Sequence, residues 1–135
     1  MSKVTNSALP NFLFLGPAGC GKSHIARYIA SNAKATHIVV CGGDLQALGP
    51  SAGAYLRGLL EKCHDSGTFA AVVVIDEADG IVCSRKQVLQ GQQVVVVNPC
   101  LYTILEATRN SSTHFSLILT TRLSVGDIDP ALLDR

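Results

Sequence analysis

Gly16-Pro17-Ala18-Gly19-Cys20-Gly21-Lys22-Ser23 keeps the spacing G-x-x-x-x-G-K-[ST] between an apolar stretch, Asn11 to Leu15, and a helical pattern, His24 to Ala33. Polyphosphate is held by backbone N–H groups curled into a nest at a helix N-terminus, and that curl needs residues without a Cβ. Gly16, Gly19 and Gly21 supply them. The expected nucleotide contacts run through Gly16, Pro17, Ala18, Gly19, Cys20, Gly21, Lys22, Ser23 and His24. Lys22 brings a mobile ammonium for the β- and γ-phosphates of ATP, and the Ser23 hydroxyl is the expected protein ligand of Mg²⁺. Cys20 reads as a small spacer, although a helix N-terminus lowers thiol pKa values and opens it to oxidation.

A second signal lies downstream in Ala71-Val72-Val73-Val74-Ile75-Asp76-Glu77-Ala78-Asp79. Its strand is apolar on both faces, the mark of a central strand in a parallel sheet. Ligands of open α/β sheets sit at the carboxyl ends of the strands, so Asp76 is expected beside Lys22 and Ser23 as a further Mg²⁺ residue. Glu77 is then the expected base, orienting a water in line with the γ-phosphate. Asp79 is expected to cap the following helix, with a supporting role in the site as the competing reading.

Hydrophobic periodicity alternates as β, α, β, α, β, α, β, which predicts a parallel sheet with helices on its faces. The strands are expected at Phe12 to Gly16, Thr36 to Cys41, Ala70 to Asp76 and Phe115 to Thr121. The first helix carries Ile25 and Ile29 with Ala26 and Ala30 as its apolar positions; the second, Ala52 to Asp65, carries Leu56, Leu59, Leu60 and Cys63. The third starts at Asn98-Pro99, an N-cap followed by proline at the first helical position, with Leu101, Ile104, Leu105 and Thr108 as its stripe. Gly80 to Gln93 reads as a polar surface loop, and Val94 to Val97 as either a short extra strand or a covered loop. Residues 1–10 are an N-terminal extension and 11–135 the domain.

Composition bounds the function. With 135 residues, 47% apolar and 16% charged, the chain can bury one core. The net charge is +1 and the eleven Lys and Arg are scattered, so nothing argues for nucleic acid or a membrane surface as partner. The five cysteines show no C-x-x-C pair, and the four histidines show no metal spacing, which points to a reducing, intracellular setting without a disulfide framework. No stretch reaches the ~20 apolar residues of a spanning helix. Met1 to Pro10 is expected to leave little room for a cleavable presequence.

GPAGCGKS, VVVIDEAD and the ending Ile128-Asp-Pro-Ala-Leu-Leu-Asp-Arg135 resemble, in order, the motifs of AAA+ ATPases. The segment Gly42-Gly43-Asp44-Leu45-Gln46-Ala47-Leu48-Gly49 is similar to that of mitochondrial inner-membrane AAA ATPases with a GGD-x-x-x-x-G stretch, which implies a mitochondrial setting. The resemblance implies a P-loop NTPase core with a three-layer α/β/α sheet, whose fifth strand and helical lid would lie beyond Arg135. It also implies a homo-oligomeric ring, such as a hexamer, or assembly with related AAA subunits, and a protein substrate that the sequence does not name. The end of the fourth strand carries the family's γ-phosphate sensor, often asparagine. Here Thr121, whose hydroxyl would reach the attacking water, and Arg122 compete for that place. Arg135 matches the finger that acts on a neighbouring subunit's nucleotide. The pore loop falls at Ala47 to Ser51, where Leu48-Gly49-Pro50 has no aromatic residue.

Other nucleotide enzymes fit less well. DEAD-box helicases share the letters Asp76-Glu77-Ala78-Asp79 but hold their lysine much further upstream and have a following S-A-T that is absent here; GTPases need N-K-x-D, also absent. Two functions remain: Mg-dependent ATP hydrolysis coupled to remodelling of proteins or complexes, and a non-hydrolysing nucleotide-binding module for assembly or regulation, or an inactive fragment.

Overall fold

Ala71 to Asp76 is an unbroken run of six residues, five of them apolar, and such a run is stable only where neighbours cover both its faces and both its edges. In the computed structural model this strand, β3 (Ala71–Asp76), is buried at every position. The structure describes residues 11–33, 36–65, 71–95, 98–109 and 115–133. β1 (Phe12–Leu15), β2 (Thr36–Cys41), β3 and β6 (Phe115–Thr121) form one parallel sheet in the order β1-β6-β3-β2. These are the four expected strands, with β1 ending one residue earlier, at Leu15.

Side chains of a strand alternate between faces, and the sheet sorts its residues accordingly. Val72, Val74 and Ile118 face α1 (Lys22–Asn32) and pack on Ala26 and Ala30, with Phe14 alongside. Ala71, Val73, Ile75, Phe115, Leu117 and Leu119 face the other way. There they meet α3 (Ala52–Asp65) through Leu56 and Leu60 and α5 (Pro99–Arg109) through Leu101 and Ile104. The result is three layers, α/β/α. Of the four apolar positions of α1, the small Ala26 and Ala30 let the helix approach the sheet, and Ile25 and Ile29 stay exposed. The side chain of Cys63 lies outside the described residues.

α3 and α5 touch because both are cut down at the crossing. A Cβ on Gly53 would lie 2.9 Å from Pro99 Cβ, and the buried Thr103 hydroxyl donates across the same contact to Gly53 O at 3.2 Å. Asn98 caps α5 as expected: its Oδ1 accepts the Leu101 N–H at 3.2 Å, while its Nδ2 donates to the carbonyls of Gly80 and Ile81 at 3.2 and 2.9 Å.

The segment expected to be a loop, Gly80 to Gln93, is structured. α4 (Asp79–Val82) is followed by an antiparallel hairpin of β4 (Lys86–Leu89) and β5 (Gln92–Val95). Gln90 and Gly91 make its two-residue turn with φ of 51° and 79°, the pair of positive angles that matches the twist of the two strands. Val94 and Val95 therefore belong to a strand, while Val96 and Val97 lie outside the described residues. α2 (Gly42–Ala47) and a 3₁₀ turn (Gly49–Ser51) occupy the segment after β2.

The last described helix, α6 (Pro130–Leu133), is pinned by an ion pair. Arg85 Nε donates to Asp129 Oδ2 at 2.9 Å and its backbone N–H to the same oxygen at 3.0 Å, and the guanidinium lies 5.2 Å from the Tyr102 ring centre. Asp129 Oδ1 accepts the Ala131 N–H at 3.0 Å, which caps α6. Residues 1–10 and Arg135 lie outside the described residues.

Candidate functional site

The carboxyl ends of β1, β3 and β6 meet at the N-terminus of α1, because all four strands run the same way and their registers are aligned. Gly19 and Gly21 adopt φ of 83° and 92°, and a Cβ on either would meet nothing within 4 Å, so the loop between β1 and α1 is an open cradle of backbone amides. The Lys22 ammonium lies across it, donating to the carbonyls of Gly16 and Pro17 at 2.5 and 2.8 Å, with Cys20 Sγ 3.7 Å away. Beneath the cradle opens a cleft of about 540 Å³ lined by Ala18, Gly19, Gly21, Lys22, Ser23, His24, Glu77, Asp79, Thr120, Thr121 and Arg122. Gly16, Pro17 and Cys20 shape the loop from behind and do not line the cleft.

Ser23 and Asp76 come together as the sequence predicts. Ser23 Oγ donates to Asp76 Oδ1 at 2.7 Å. That oxygen also accepts the Thr120 hydroxyl at 2.5 Å and the Glu77 N–H at 3.1 Å, and the exposed Arg27 guanidinium stands 3.5 Å from Oδ2. Burial raises the Asp76 pKa, but the hydrogen bonds from Thr120 and Ser23, together with Arg27 and the Glu77 amide, outweigh it and leave the carboxyl below its ordinary value. Asp76 is thus an anion, and with the Ser23 hydroxyl it forms a pair of hard oxygen donors. Such a pair suits Mg²⁺, which takes one or two protein oxygens and keeps water and phosphate for the rest. Among the described residues no cluster of three His, Cys, Asp or Glu could hold a metal by itself.

Glu77 follows on an exposed turn, with φ of 53° and its Oε2 3.9 Å from Cys41 Sγ. It lines the cleft next to Lys22 and Ser23.

Asp79 does not cap α4 with its side chain. The residue at the cap is Ala78, and the Asp79 carboxylate instead ties the end of β6: Oδ1 accepts the Thr121 hydroxyl at 2.5 Å and the Arg122 N–H at 2.9 Å, and Oδ2 accepts Arg122 Nε at 3.1 Å. Burial raises its pKa, and the Thr121 and Arg122 contacts more than offset that, leaving it low. The Thr121 hydroxyl, expected at the attacking water, therefore has its proton committed to Asp79 while also accepting the Leu123 N–H at 3.1 Å. The hydroxyl that reaches Asp76 is that of Thr120. The register of β6 on β3 sets Thr120 beside Asp76, and the alternation of β6 separates the two threonines: Thr120 shares the face of Ile118 and α1, whereas Thr121 shares that of Leu119 and α4. Sequence reading passed over Thr120, and also Gly42, whose Cβ would lie 2.4 Å from Glu77 O. A two-residue slip of β6 against β3 leaves the alternation unchanged, so only the paired register reveals the first.

A family profile for the ATPase family associated with various cellular activities (AAA) matches residues 12–135. The chain belongs to the AAA ATPase family. Its AAA domain is similar to a Methanocaldococcus jannaschii protein named for its likeness to a 26S proteasome regulatory subunit, 32% identical over 128 residues, covering 93% of this chain and 33% of the relative. It is similar to the ribosome biogenesis ATPase RIX7 of Saccharomyces cerevisiae, 32% identical over 133 residues, covering 97% of this chain and 15% of the relative. The ATPase family AAA domain-containing protein 3 of Caenorhabditis elegans is 29% identical over 86 residues, 64% of this chain and 14% of the relative. The AAA domain thus spans a third or less of these relatives, and they establish the family rather than a branch within it. Membership carries ATP binding and an ATPase-type site. No described helix is long and apolar enough to cross a membrane.

Proposed function

We propose that this AAA domain binds Mg-ATP and hydrolyses it, in a ring of like or related AAA subunits that remodels a protein or complex. The observation that carries the reading is the contact of Ser23 Oγ with an ionised Asp76, 2.7 Å apart, at the mouth of the glycine cradle and one residue before Glu77. Each part is of use only with the others. The cradle amides and Lys22 hold the β- and γ-phosphates; a Mg²⁺ held by Ser23 and Asp76 would neutralise charge on them. Glu77 takes a proton from water as its oxygen bonds to the γ-phosphorus and the bond to the ADP oxygen breaks. Arg135, by its place in Leu-Leu-Asp-Arg, is assigned to the nucleotide of the neighbouring subunit, and Thr121 or Arg122 to sensing the γ-phosphate. The Gly42-Gly43-Asp44 segment supports a place near the mitochondrial inner-membrane members.

One observation favours a binding-only module: the Asp79 carboxylate engages both Thr121 and Arg122, so neither sensor candidate is unpartnered. Two experiments separate the readings. Mg-ATP should raise the melting temperature of the chain, and Lys22→Ala should abolish the rise, because a ligand of the native state must stabilise it; no rise in the unsubstituted chain sinks both readings. If the unsubstituted protein turns over ATP and Glu77→Gln does so as fast, the base assignment is wrong; if the unsubstituted protein binds Mg-ATP without turning it over, the binding-only reading stands.

A further inference from the structure

Thr120 stands where Asp76 and Glu77 meet. It is buried, its hydroxyl donates its one proton to Asp76 Oδ1 and accepts the Glu77 N–H at 3.0 Å, and its carbonyl accepts the Ala78 N–H at 2.8 Å. Gly42, at the start of α2, closes on the peptide between Glu77 and Ala78. A Cβ at that position would lie 2.4 Å from Glu77 O and 3.0 Å from Ala78 Cα, backbone atoms that cannot swing aside. Between the two, Glu77 holds φ of 53°, a region that a residue with a side chain enters only when its surroundings impose it.

We propose that Thr120 and Gly42 are positioning residues for the hydrolytic centre: Thr120 holds the Glu77 backbone in the left-handed conformation and locks Asp76 in the same contact, and Gly42 is small so that α2 can close on the Glu77 carbonyl. The inference rests on the reading of Glu77 as the hydrolytic carboxylate. An ordinary buried threonine satisfies its hydroxyl on a carbonyl of its own surroundings, as Thr103 does on Pro99 O at 3.0 Å. Thr120 instead spends both its donor and its acceptor on Asp76 and Glu77. α2, which leads into the exposed Leu48, thus starts against the Glu77 peptide.

Amide hydrogen exchange resolved at Glu77, together with the Mg²⁺ dependence of stabilisation by ATP, tests this on the chain as it is. Thr120→Val keeps the shape and removes the hydroxyl. It should speed exchange at Glu77 at least tenfold while β3 amides keep their rates, and raise several-fold the Mg²⁺ concentration at which ATP gives half its thermal shift. Thr120→Ser should restore both, a rescue that a purely packing role would not show. Gly42→Ala should speed Glu77 exchange with the Thr120 hydroxyl in place. Wild-type exchange and Mg²⁺ dependence in a folded Thr120→Val protein overturn the proposal. Should that variant not fold, the unsubstituted protein still decides: a Glu77 amide exchanging as fast as an unprotected peptide overturns it too. Failure of Glu77→Gln to alter turnover would strike the catalytic reading alone, because the exchange data judge the clamp separately.

Discussion

Replacing Arg85 by alanine removes the cation from a carboxylate that has almost no access to water. The Asp129 side chain is 4% exposed and that of Arg85 24%. Breaking a buried pair on one side costs about 3–5 kcal/mol because the remaining charge stays desolvated. Here two backbone N–H groups, of residue 85 and of Ala131, still serve Asp129, and the partly exposed arginine leaves a path for water, so the lower end applies, about 3 kcal/mol. For 135 residues an unfolding entropy of about 2.1 cal/mol/K per residue makes that a fall in Tm of roughly 10 °C. Arg57 and Glu106 supply the internal control: they form a pair at 3.6 Å with side chains 57% and 74% exposed, for which solvent screening leaves less than about 0.5 kcal/mol. Urea unfolding of Arg85→Ala and Arg57→Ala followed by circular dichroism gives both numbers. If the two variants lose the same stability, the argument from burial is wrong and Asp129 is held by its backbone donors alone.

Asp76, Asp79 and Asp129 all have folded-state pKa values below their ordinary value, in each case because hydrogen bonds and cations outweigh the opposing effect of burial. Their contribution to stability is present above the unfolded pKa of about 4 and lost as pH falls through the folded values, so stability should begin to drop below about pH 5 and go on falling until those lower values are passed; Asp129→Asn should show a shallower drop in acid titration. Asn98→Ala removes the cap of α5 and the partner of two carbonyls, and should cost about 2 kcal/mol in denaturant unfolding, more than an average cap. Ile104→Ala empties a fully buried position between α5 and the sheet and should cost about 2–5 kcal/mol, whereas Ile25→Ala on the exposed side of α1 should cost under about 1 kcal/mol by the same measurement.

Much of this site was legible in the sequence because its chemistry is local. The loop from Gly16 to Ser23 needs glycines at set places, and a strand buried on both faces must be apolar until its end, so Lys22, Ser23, Asp76 and Glu77 declare themselves by residue type and order. The hairpin was misread because its strands are short and polar in parts, and Gln-Gly is a weaker turn signal than Asn-Gly, even though the turn geometry is the same. Which of the apolar positions of α1 meet the sheet was not legible, because Ile25 and Ile29 adjoin Ala26 and Ala30 around the helix and a helical period does not say which pair is turned inward.

Sequence alone determined the glycine-rich loop, the pairing of Ser23 with Asp76, the four parallel strands with the three longer helices between them, and membership in an ATPase family. The tertiary structure decided which threonine serves which carboxylate. Ile75 pairs with Leu119, so the next residues, Asp76 and Thr120, point to one face and meet, and Thr121 turns to the other face and to Asp79. Register between strands whose paired residues are 44 positions apart in the chain is set by packing on both sides of the sheet. A period of two within either strand fixes the alternation but leaves the pairing open.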